Sequence, residues 1–192
     1  MQERIGVLVG IKGRGSNMAA IVHATLDGRL SAPIGVVIAP SDASPALEVA
    51  KSLGVETAVV PYGDDFGDRL LQALDGCTVL CLAGFMRMVP SEVLAAFPDR
   101  VLNIHPALLP KFGGKGMYGR HVHEAVLAAG EKESGSTVHL VTDQYDEGPI
   151  VYQLRCPVFS DDTPETLAAR VLELEHRAYV EALNLVLTHV DR

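Results

Sequence analysis

The sequence predicts a three-layer, Rossmann-like α/β fold, in which helices cover both faces of a mostly parallel central sheet. In the first half of the 192-residue chain, short apolar runs typical of buried strands alternate with amphipathic helical patterns. The second half contains two extended runs joined by a polar turn, which indicates an antiparallel C-terminal part. No repeat, low-complexity tract or linker divides the chain, so we expect a single domain over residues 1–192.

The strands of the first half are predicted from runs rich in Val, Ile and Leu that are too short for helices of ordinary length. These runs cover residues 5–9, 34–39, 57–60, 79–83 and 101–105. Because a helical stretch separates most of them from the next run, we expect parallel neighbours that are joined by right-handed crossovers.

The first helix is predicted from apolar positions that recur with helical spacing. One face of this helix carries Met18, Ile21, Val22, Thr25 and Leu26. Residues 43–53 and 66–74 show the same kind of pattern, and both stretches are predicted to be helices.

The second half is predicted to contain a helix over 121–129, followed by extended runs over 136–141 and 150–157. The polar turn 142–149 lies between those two runs. A long C-terminal helix then begins, with Thr163 as its N-cap and Pro164 at its first helical position. Its apolar face is marked by Leu167, Val171, Leu174 and Ala178.

Composition and charge limit the classes of function. The formal net charge of −8 argues against nucleic-acid binding, which normally requires a basic surface. No apolar run is long enough to span a bilayer, and no secretory signal opens the sequence, so we expect no membrane partner. The three cysteines suggest no disulfide framework. We therefore expect a cytoplasmic protein with small-molecule substrates, as a monomer or a homodimer.

A glycine-rich loop follows the first strand over residues 10–17 and leads directly into a helix. Glycines permit a tight turn there, and the helix N-terminus offers free N–H groups and a positive dipole end. Ser16 or Asn17 is expected to cap the helix, while Lys12 and Arg14 add local positive charge. This loop is predicted to hold a monophosphate; the alternative is a tight turn that binds nothing.

Two other nucleotide motifs are excluded at this loop. The dinucleotide pattern G-x-G-x-x-G would need a glycine where Met18 stands, and no acidic residue follows the second strand to hold a ribose. A Walker A loop would need Gly-Lys-Ser/Thr at its end, and that sequence is absent.

Polar side chains end the fifth predicted strand. Asn103 and His105 share one face because side chains alternate along a strand, and Pro106 then ends the strand. Ligands of α/β sheets bind at the carboxyl ends of strands. A carboxylate from the acidic turn 143–148 is expected to pair with His105 and to raise its pKa. The alternative is that His105 is a structural residue.

The remaining histidines are predicted to have lesser roles. His23 and His189 fall on helical patterns and are expected at the surface or the edge of the core. The i, i+2 spacing of His121 and His123 does not place both on one helical face, so we expect no metal pair. His139 lies in an extended run near the acidic turn and is expected to contact residues of the site rather than the substrate.

The motif Asn-Ile-His-Pro-Ala-Leu-Leu-Pro at residues 103–110 closely resembles the signature of the folate-dependent formyltransferases. In that family an Asn, a His and a downstream Asp form the catalytic trio. The turn Asp-Gln-Tyr-Asp-Glu-Gly-Pro at 143–149 resembles the family's Asp-containing turn. The resemblance runs along nearly the whole chain and implies the formyltransferase fold, with Asn103, His105 and Asp146 as catalytic residues.

The resemblance also implies how the two substrates are bound. The first half, residues 1–100, would bind the phosphate of a nucleotide, and the second half, residues 101–192, would carry catalysis and folate binding. The nucleotide would be held by Gly15, Ser16, Asn17 and Glu175. The folate would be held by Met86, Arg87, Met88, Val89, Asn103, Thr142, Asp143 and Asp146. The cosubstrate would be 10-formyltetrahydrofolate, with no metal.

The members of the family that formylate glycinamide ribonucleotide in de novo purine synthesis are the best match. The implied reaction moves the formyl group to the amine of that nucleotide. Asn103 and His105 would stabilise the oxyanion, while Asp146 would orient His105 and raise its pKa. The alternatives are a formyltetrahydrofolate hydrolase, a sugar-amine formyltransferase and a non-catalytic nucleotide-binding domain.

The chain departs from the family pattern in two places. Some members carry an Arg after the third strand that approaches the folate tail, whereas this chain has Tyr-Gly-Asp-Asp at 62–65, and the nearest arginine is Arg69. Residues 111–120 form a loop that is longer and richer in glycine than in some members. We expect this loop to be a mobile lid.

Overall fold

The computed structural model describes residues 2–188; Met1 and residues 189–192, which include His189, lie outside the described residues. Seven strands form a single sheet in the order β3-β2-β1-β4-β5-β6-β7. The strands are β1 Ile5–Val9, β2 Ile34–Ala39, β3 Thr57–Val59, β4 Val79–Ala83, β5 Val101–His105, β6 Glu133–Leu140 and β7 Ile150–Pro157.

The sheet is parallel from β3 through β5, and β6 and β7 are antiparallel additions at one edge. The helices are α1 Ser16–Leu26, α2 Pro45–Ser52, α3 Phe66–Ala73, α4 Ser91–Ala96, α5 Arg120–Ala128 and α6 Pro164–Thr188. The predicted fold class, a mostly parallel α/β sheet with an antiparallel C-terminal part, is confirmed.

Two apolar cores lie on opposite faces of the sheet because successive strand residues point to opposite sides. On one face Val7 packs in a cluster with Met18 of α1, Leu47 of α2 and Tyr179 of α6. On the other face Leu8 packs in a cluster that includes residues of α3 and α4. The sheet is therefore the middle of three layers, which leaves its carboxyl edge open for a site.

Some boundaries differ from those predicted. Strand β6 begins at Glu133 rather than at 136, because small polar residues there pair with β7 although their sequence does not resemble a strand. Leu26 was predicted on the buried face of α1, yet it is 67% exposed, since the helix ends at this residue. Thr25 is half-buried, and Ala24 is buried instead. The short helix α4 was not predicted.

The start of α6 follows the sequence prediction. The backbone N–H of Thr166 donates to the Thr163 hydroxyl at 3.3 Å, and the Thr163 N–H donates to the Thr166 hydroxyl at 2.9 Å. These reciprocal bonds form a cap at the helix N-terminus. Along the predicted apolar face, Leu167, Val171 and Ala178 are fully buried, while Leu174 is half-buried.

Helix α6 is also hydrogen-bonded to two central strands, β4 and β5. The Tyr179 hydroxyl lies 2.8 Å from the carbonyl oxygen of Leu82 on β4 and 3.0 Å from that of Leu102 on β5. Its single proton is shared between these two acceptors, and the ring is fully buried. Within residues 2–188, no helix combines the length and the apolar character that crossing a membrane requires.

Removing the Tyr179 hydroxyl tests what these hydrogen bonds contribute to stability. We expect Tyr179→Phe to lower the free energy of unfolding by about 1 kcal/mol, because a buried hydrogen bond is lost. Tyr152→Phe is the matched control, since Tyr152 is half-buried on β7 and no hydrogen bond of its hydroxyl is found among the described residues. Urea unfolding measures both variants. Equal stabilities would contradict the role given to Tyr179.

Candidate active site

A cavity of about 840 Å³ opens at the carboxyl edge of the parallel strands. Its volume falls within the range of about 300–1,000 Å³ that is typical of small-molecule sites. The walls come from the ends of β4 and β5, the loop 114–119, the turn after β6, and helices α5 and α6. This is the edge at which α/β sheets bind their ligands.

Most of the site residues expected from the sequence line this one cavity. They are Asn17, Met86, Arg87, Met88, Val89, Asn103, His105, Thr142, Asp146 and Glu175. Three others, Gly15, Ser16 and Asp143, are not among the residues that line it. The binding roles of all these residues stay predictions.

The glycine-rich loop ends in a left-handed turn at Gly15, where φ is +77°. A Cβ at this position would lie 2.7 Å from the Cβ of Ala46, so only glycine fits. The expectation that Ser16 or Asn17 caps α1 is wrong, because Gly15 itself occupies the N-cap and no side chain caps the helix. The first turn contains no acidic residue, so its positive dipole end is not neutralised within that turn.

Asn17 contacts α6 instead of capping α1. Its amide Nδ2 donates to Oε2 of Glu175 at 2.6 Å, and its Oδ1 is buried without a hydrogen-bond partner among the described residues. Burial raises the pKa of Glu175, while the bond from Asn17 acts in the opposite direction. This pair places a polar acceptor at the end of the cavity that lies nearest to the glycine-rich loop.

His105 is 3% exposed, and protein groups face both of its ring nitrogens. Nε2 lies 2.7 Å from the carbonyl oxygen of Phe112, and a carbonyl only accepts, so Nε2 carries the proton. Nδ1 lies 3.5 Å from Oδ2 of Asp146, which is close for an ion pair but long for a hydrogen bond. Asp146 therefore sits where it can stabilise a second proton on His105.

Burial lowers the pKa of His105, and it outweighs the opposite effects of the Asp146 carboxylate and the Phe112 carbonyl. Asp146 raises the pKa of His105 as expected, but burial lowers that pKa by more, so the net pKa lies below its ordinary value. The carboxylate acts in the predicted direction, but desolvation of the charged imidazolium is the larger effect. His105 is mostly neutral at pH 7.

Asp146 adopts a left-handed backbone conformation, with φ of +57°, and its side chain is only 10% exposed. Oδ2 accepts a hydrogen bond from the N–H of Gly114 at 2.9 Å, and Oδ1 lies 3.4 Å from Nε2 of His139. Burial would raise the pKa of Asp146, but His139, His105 and the Gly114 N–H together hold it below its ordinary value. Asp146 is therefore a carboxylate at neutral pH.

His139 joins Asn103 to Asp146. Its Nδ1 lies 2.9 Å from the carbonyl oxygen of Leu140, so Nδ1 carries a proton. Its Nε2 lies 3.2 Å from the amide nitrogen of Asn103 and accepts a hydrogen bond from it when the ring is neutral. The sequence predicted only a supporting role for this residue, whereas the structure places it in contact with two members of the trio.

The loop 111–120 contacts the same side chains through its backbone. The carbonyl of Phe112 accepts from His105, and the N–H of Gly114 donates to Asp146. A Cβ on Gly113 would lie 2.5 Å from Leu109 and 3.1 Å from the Cβ of Asp146, so the backbone approaches the site closely here. That this loop is a mobile lid stays a prediction.

Sequence reasoning missed one cavity residue whose type suggests chemistry. His123 on α5 lines the cavity and is 4% exposed, and burial lowers its pKa. Its spacing from His121 gave no functional signal, because the two point in different directions. Among residues 2–188, no three His, Cys, Asp or Glu side chains are grouped so that they could hold a metal ion.

The chain is similar to known proteins along most of its length. A sequence model of the formyl transferase family matches residues 5–183. A chloroplastic phosphoribosylglycinamide formyltransferase from Arabidopsis thaliana is 40% identical over 93% of this chain, which spans only 64% of that relative's length. The phosphoribosylglycinamide formyltransferase of Escherichia coli is 33% identical over 91% of this chain and 84% of its own.

A solved structure shows the same similarity in three dimensions. Glycinamide ribonucleotide transformylase 1 from Symbiobacterium toebii superposes with a TM-score of 0.85 at 40% identity. The match covers 95% of this chain and 86% of that one.

The lowered pKa of His105 predicts how stability depends on pH. Its folded pKa lies below the ordinary value of 6.5, so the unfolded chain binds more protons in the window between them. The stability that comes from burying neutral His105 is present above about pH 6.5 and is lost as pH falls toward the folded pKa. The stability advantage of wild type over His105→Gln should therefore shrink between pH 7 and pH 5, by at most about 1.4 kcal/mol per unit.

Urea unfolding at several pH values measures this difference. His123 and His176, whose pKa values burial also lowers, are present in both proteins and largely cancel in the comparison. A difference that stays constant, or that grows as the pH falls, would show that His105 is not buried in its neutral form.

Proposed function

This chain belongs to the formyl transferase family, and we propose that it transfers the formyl group of 10-formyltetrahydrofolate to the amine of glycinamide ribonucleotide. The names of the relatives in Arabidopsis thaliana, Escherichia coli and Symbiobacterium toebii support this substrate. The observation that carries the proposal is the meeting of Asn103, His105 and Asp146 in one cavity. Such a reaction would serve de novo purine synthesis.

The nucleotide is proposed to bind at the end of the cavity beside α1. Free N–H groups at the start of this helix, next to Gly15 and Ser16, suit a phosphate. The Asn17–Glu175 pair offers a carboxylate oxygen and an amide to the ribose hydroxyls. This arrangement would point the substrate amine along the cavity toward Asn103.

The folate is proposed to bind at the opposite end. Met86, Met88 and Val89 provide apolar surface for a flat ring system, and residues of the turn 142–146 line the same cavity. Asp146 and Asn103 would then lie near the junction of the ring and the formyl-bearing nitrogen.

The proposed reaction begins when the nucleotide amine attacks the formyl carbon and a new C–N bond forms. Negative charge develops on the formyl oxygen, and the amide Nδ2 of Asn103 is placed to donate a hydrogen bond to it. The carbonyl oxygen of Phe112, 2.7 Å from His105 Nε2, marks where a second acceptor fits. The formyl oxygen would take the place of the Phe112 carbonyl oxygen and accept the hydrogen bond that His105 Nε2–H donates.

The neutral state of His105 is compatible with this role, because its Nε2–H donates without a net charge. As negative charge grows on the substrate, Nδ1, which faces the Asp146 carboxylate, becomes a better acceptor for the proton that the attacking amine releases. The bond from the formyl carbon to the folate nitrogen then breaks. A proton leaves the attacking amine and reaches the departing nitrogen, through a water that Asp146 would orient.

The setting of the reaction is also part of the proposal. We expect small-molecule substrates, no metal, and a monomer or homodimer in the cytoplasm, although the Arabidopsis relative is chloroplastic. A hydrolase that releases formate from the same folate is the main alternative, since it would need the same oxyanion donors.

Nucleotide dependence distinguishes the transferase from the hydrolase. Turnover of 10-formyl-dideazafolate is followed spectrophotometrically with and without glycinamide ribonucleotide. Turnover that requires the nucleotide supports the proposal, whereas equal turnover without it indicates the hydrolase. If neither condition gives turnover, the proposed acceptor is wrong, and amino sugars become the next acceptors to test.

Variants of the trio test the assigned roles. We expect Asn103→Ala to lower kcat by about 10²–10³-fold, the usual cost of one oxyanion donor, and Asp146→Asn to lower it by a similar factor. Asn184→Ala is the control. Asn184 is half-buried on α6 and does not line the cavity, so this variant should keep wild-type turnover. Circular dichroism checks that each variant is folded. Turnover near wild type in either trio variant would overturn the assignment.

A further inference from the structure

The guanidinium of Arg87 lies on the cavity wall without a charged partner. No carboxylate pairs with it among residues 2–188, whereas Arg120, another cavity cation, pairs with Glu124 and Glu165. The group that Arg87 does contact is aromatic: its Cζ lies 3.7 Å from the centre of the Tyr62 ring. Arg87 is therefore held in place by stacking, while its N–H groups stay available to a ligand.

Tyr62 belongs to a small aromatic cluster. Its ring centre lies 5.1 Å from that of Phe66 and 6.3 Å from that of Phe85, and the two phenylalanines stack with an angle of 9° between their planes. Both phenylalanines are buried in the core between the sheet and α3. Tyr62 thus rests on the core and offers its other face to Arg87.

The segment that carries Tyr62 is fixed by Arg69. The Arg69 guanidinium donates to the carbonyl of Pro61 at 2.7 Å and pairs with Asp65 at 3.0 Å. Arg69 is the arginine nearest in sequence to residues 62–65. It does not line the cavity, so it is not available to a ligand bound there. Of the three Lys and Arg side chains that line the cavity, Arg87, Lys115 and Arg120, Arg87 is the one that stacks on an aromatic ring among the described residues.

We propose that Tyr62 is a positioning residue that holds Arg87 ready to bind the carboxylate tail of the folate cosubstrate, and so helps this chain select folates that carry a glutamate. A guanidinium that lies flat on a ring keeps its in-plane N–H groups free, and these match the two oxygens of a carboxylate. The ring face also attracts the cation. This inference rests on the proposed function, because it requires a folate in the cavity.

The test compares two probes that differ only in the tail: 5,8-dideazafolate, which carries a glutamate, and the corresponding pteroate, which lacks it. Binding to the full chain is measured by isothermal titration calorimetry. We expect Tyr62→Leu to weaken binding of the glutamate-bearing probe about fivefold, which lies within the usual strength of a cation–ring contact. Binding of the pteroate should change less than twofold.

Tyr62→Phe is the matched control. It keeps the ring face and loses only the hydroxyl, so both probes should bind within about twofold of wild type. Arg87→Gln should remove the difference between the two probes, and adding Tyr62→Leu to it should weaken binding no further. This last result separates a role exerted through Arg87 from a general loss of packing.

Each other outcome counts against the inference. It fails if Tyr62→Leu weakens both probes equally or neither, or if Tyr62→Phe loses as much as Tyr62→Leu. It also fails if the double variant binds the glutamate-bearing probe more weakly than Arg87→Gln alone. If neither probe binds the wild-type chain, the folate site of the proposed function is itself wrong, a result that the other outcomes do not produce.

Discussion

The candidate site depends on the antiparallel pairing of β6 with β5. This pairing places His139 directly opposite Asn103 and Thr137 opposite His105. The turn that follows β6 then returns beside the end of β5 and brings Asp146 to 3.5 Å from His105. A further parallel strand would carry its following turn to the same edge only after a long crossover. Two antiparallel strands at one edge of a parallel sheet thus bring residues from three separate segments together.

The polar groups of the site are buried or half-buried, and each is stabilised by another. An isolated charge in such a place would be costly, so one titratable group must be neutral or paired. Here Asp146 keeps its charge because His139, His105 and a backbone N–H surround it, whereas burial keeps His105 neutral. The result is a neutral proton donor next to a fixed carboxylate, which can become a charged pair when negative charge forms nearby.

The parts of the fold and the site that were predictable from the sequence are those that depend on local pattern. Four of the five early strands have the predicted bounds, because each is a short apolar run between helices. Asn103 and His105 could be placed on one face by alternation alone. Contacts made by loop backbone were not predictable: nothing in the sequence indicates that the Phe112 carbonyl binds His105, or that Gly15 replaces a side-chain cap. The same holds for the stacking of Arg87 on Tyr62, which joins distant segments.

The protonation state of His105 decides whether Nε2 can donate a hydrogen bond to the substrate, so the proposed chemistry depends on it. Nitrogen-15 NMR of histidine-labelled protein, titrated through pH 5–8, reports the tautomer and the pKa of each ring. The His105 signals are identified by their loss in His105→Gln. We expect a neutral ring at pH 7 with its proton on Nε2 and a pKa below 6.5. A proton on Nδ1 in the neutral ring, or a pKa above 6.5, would contradict it.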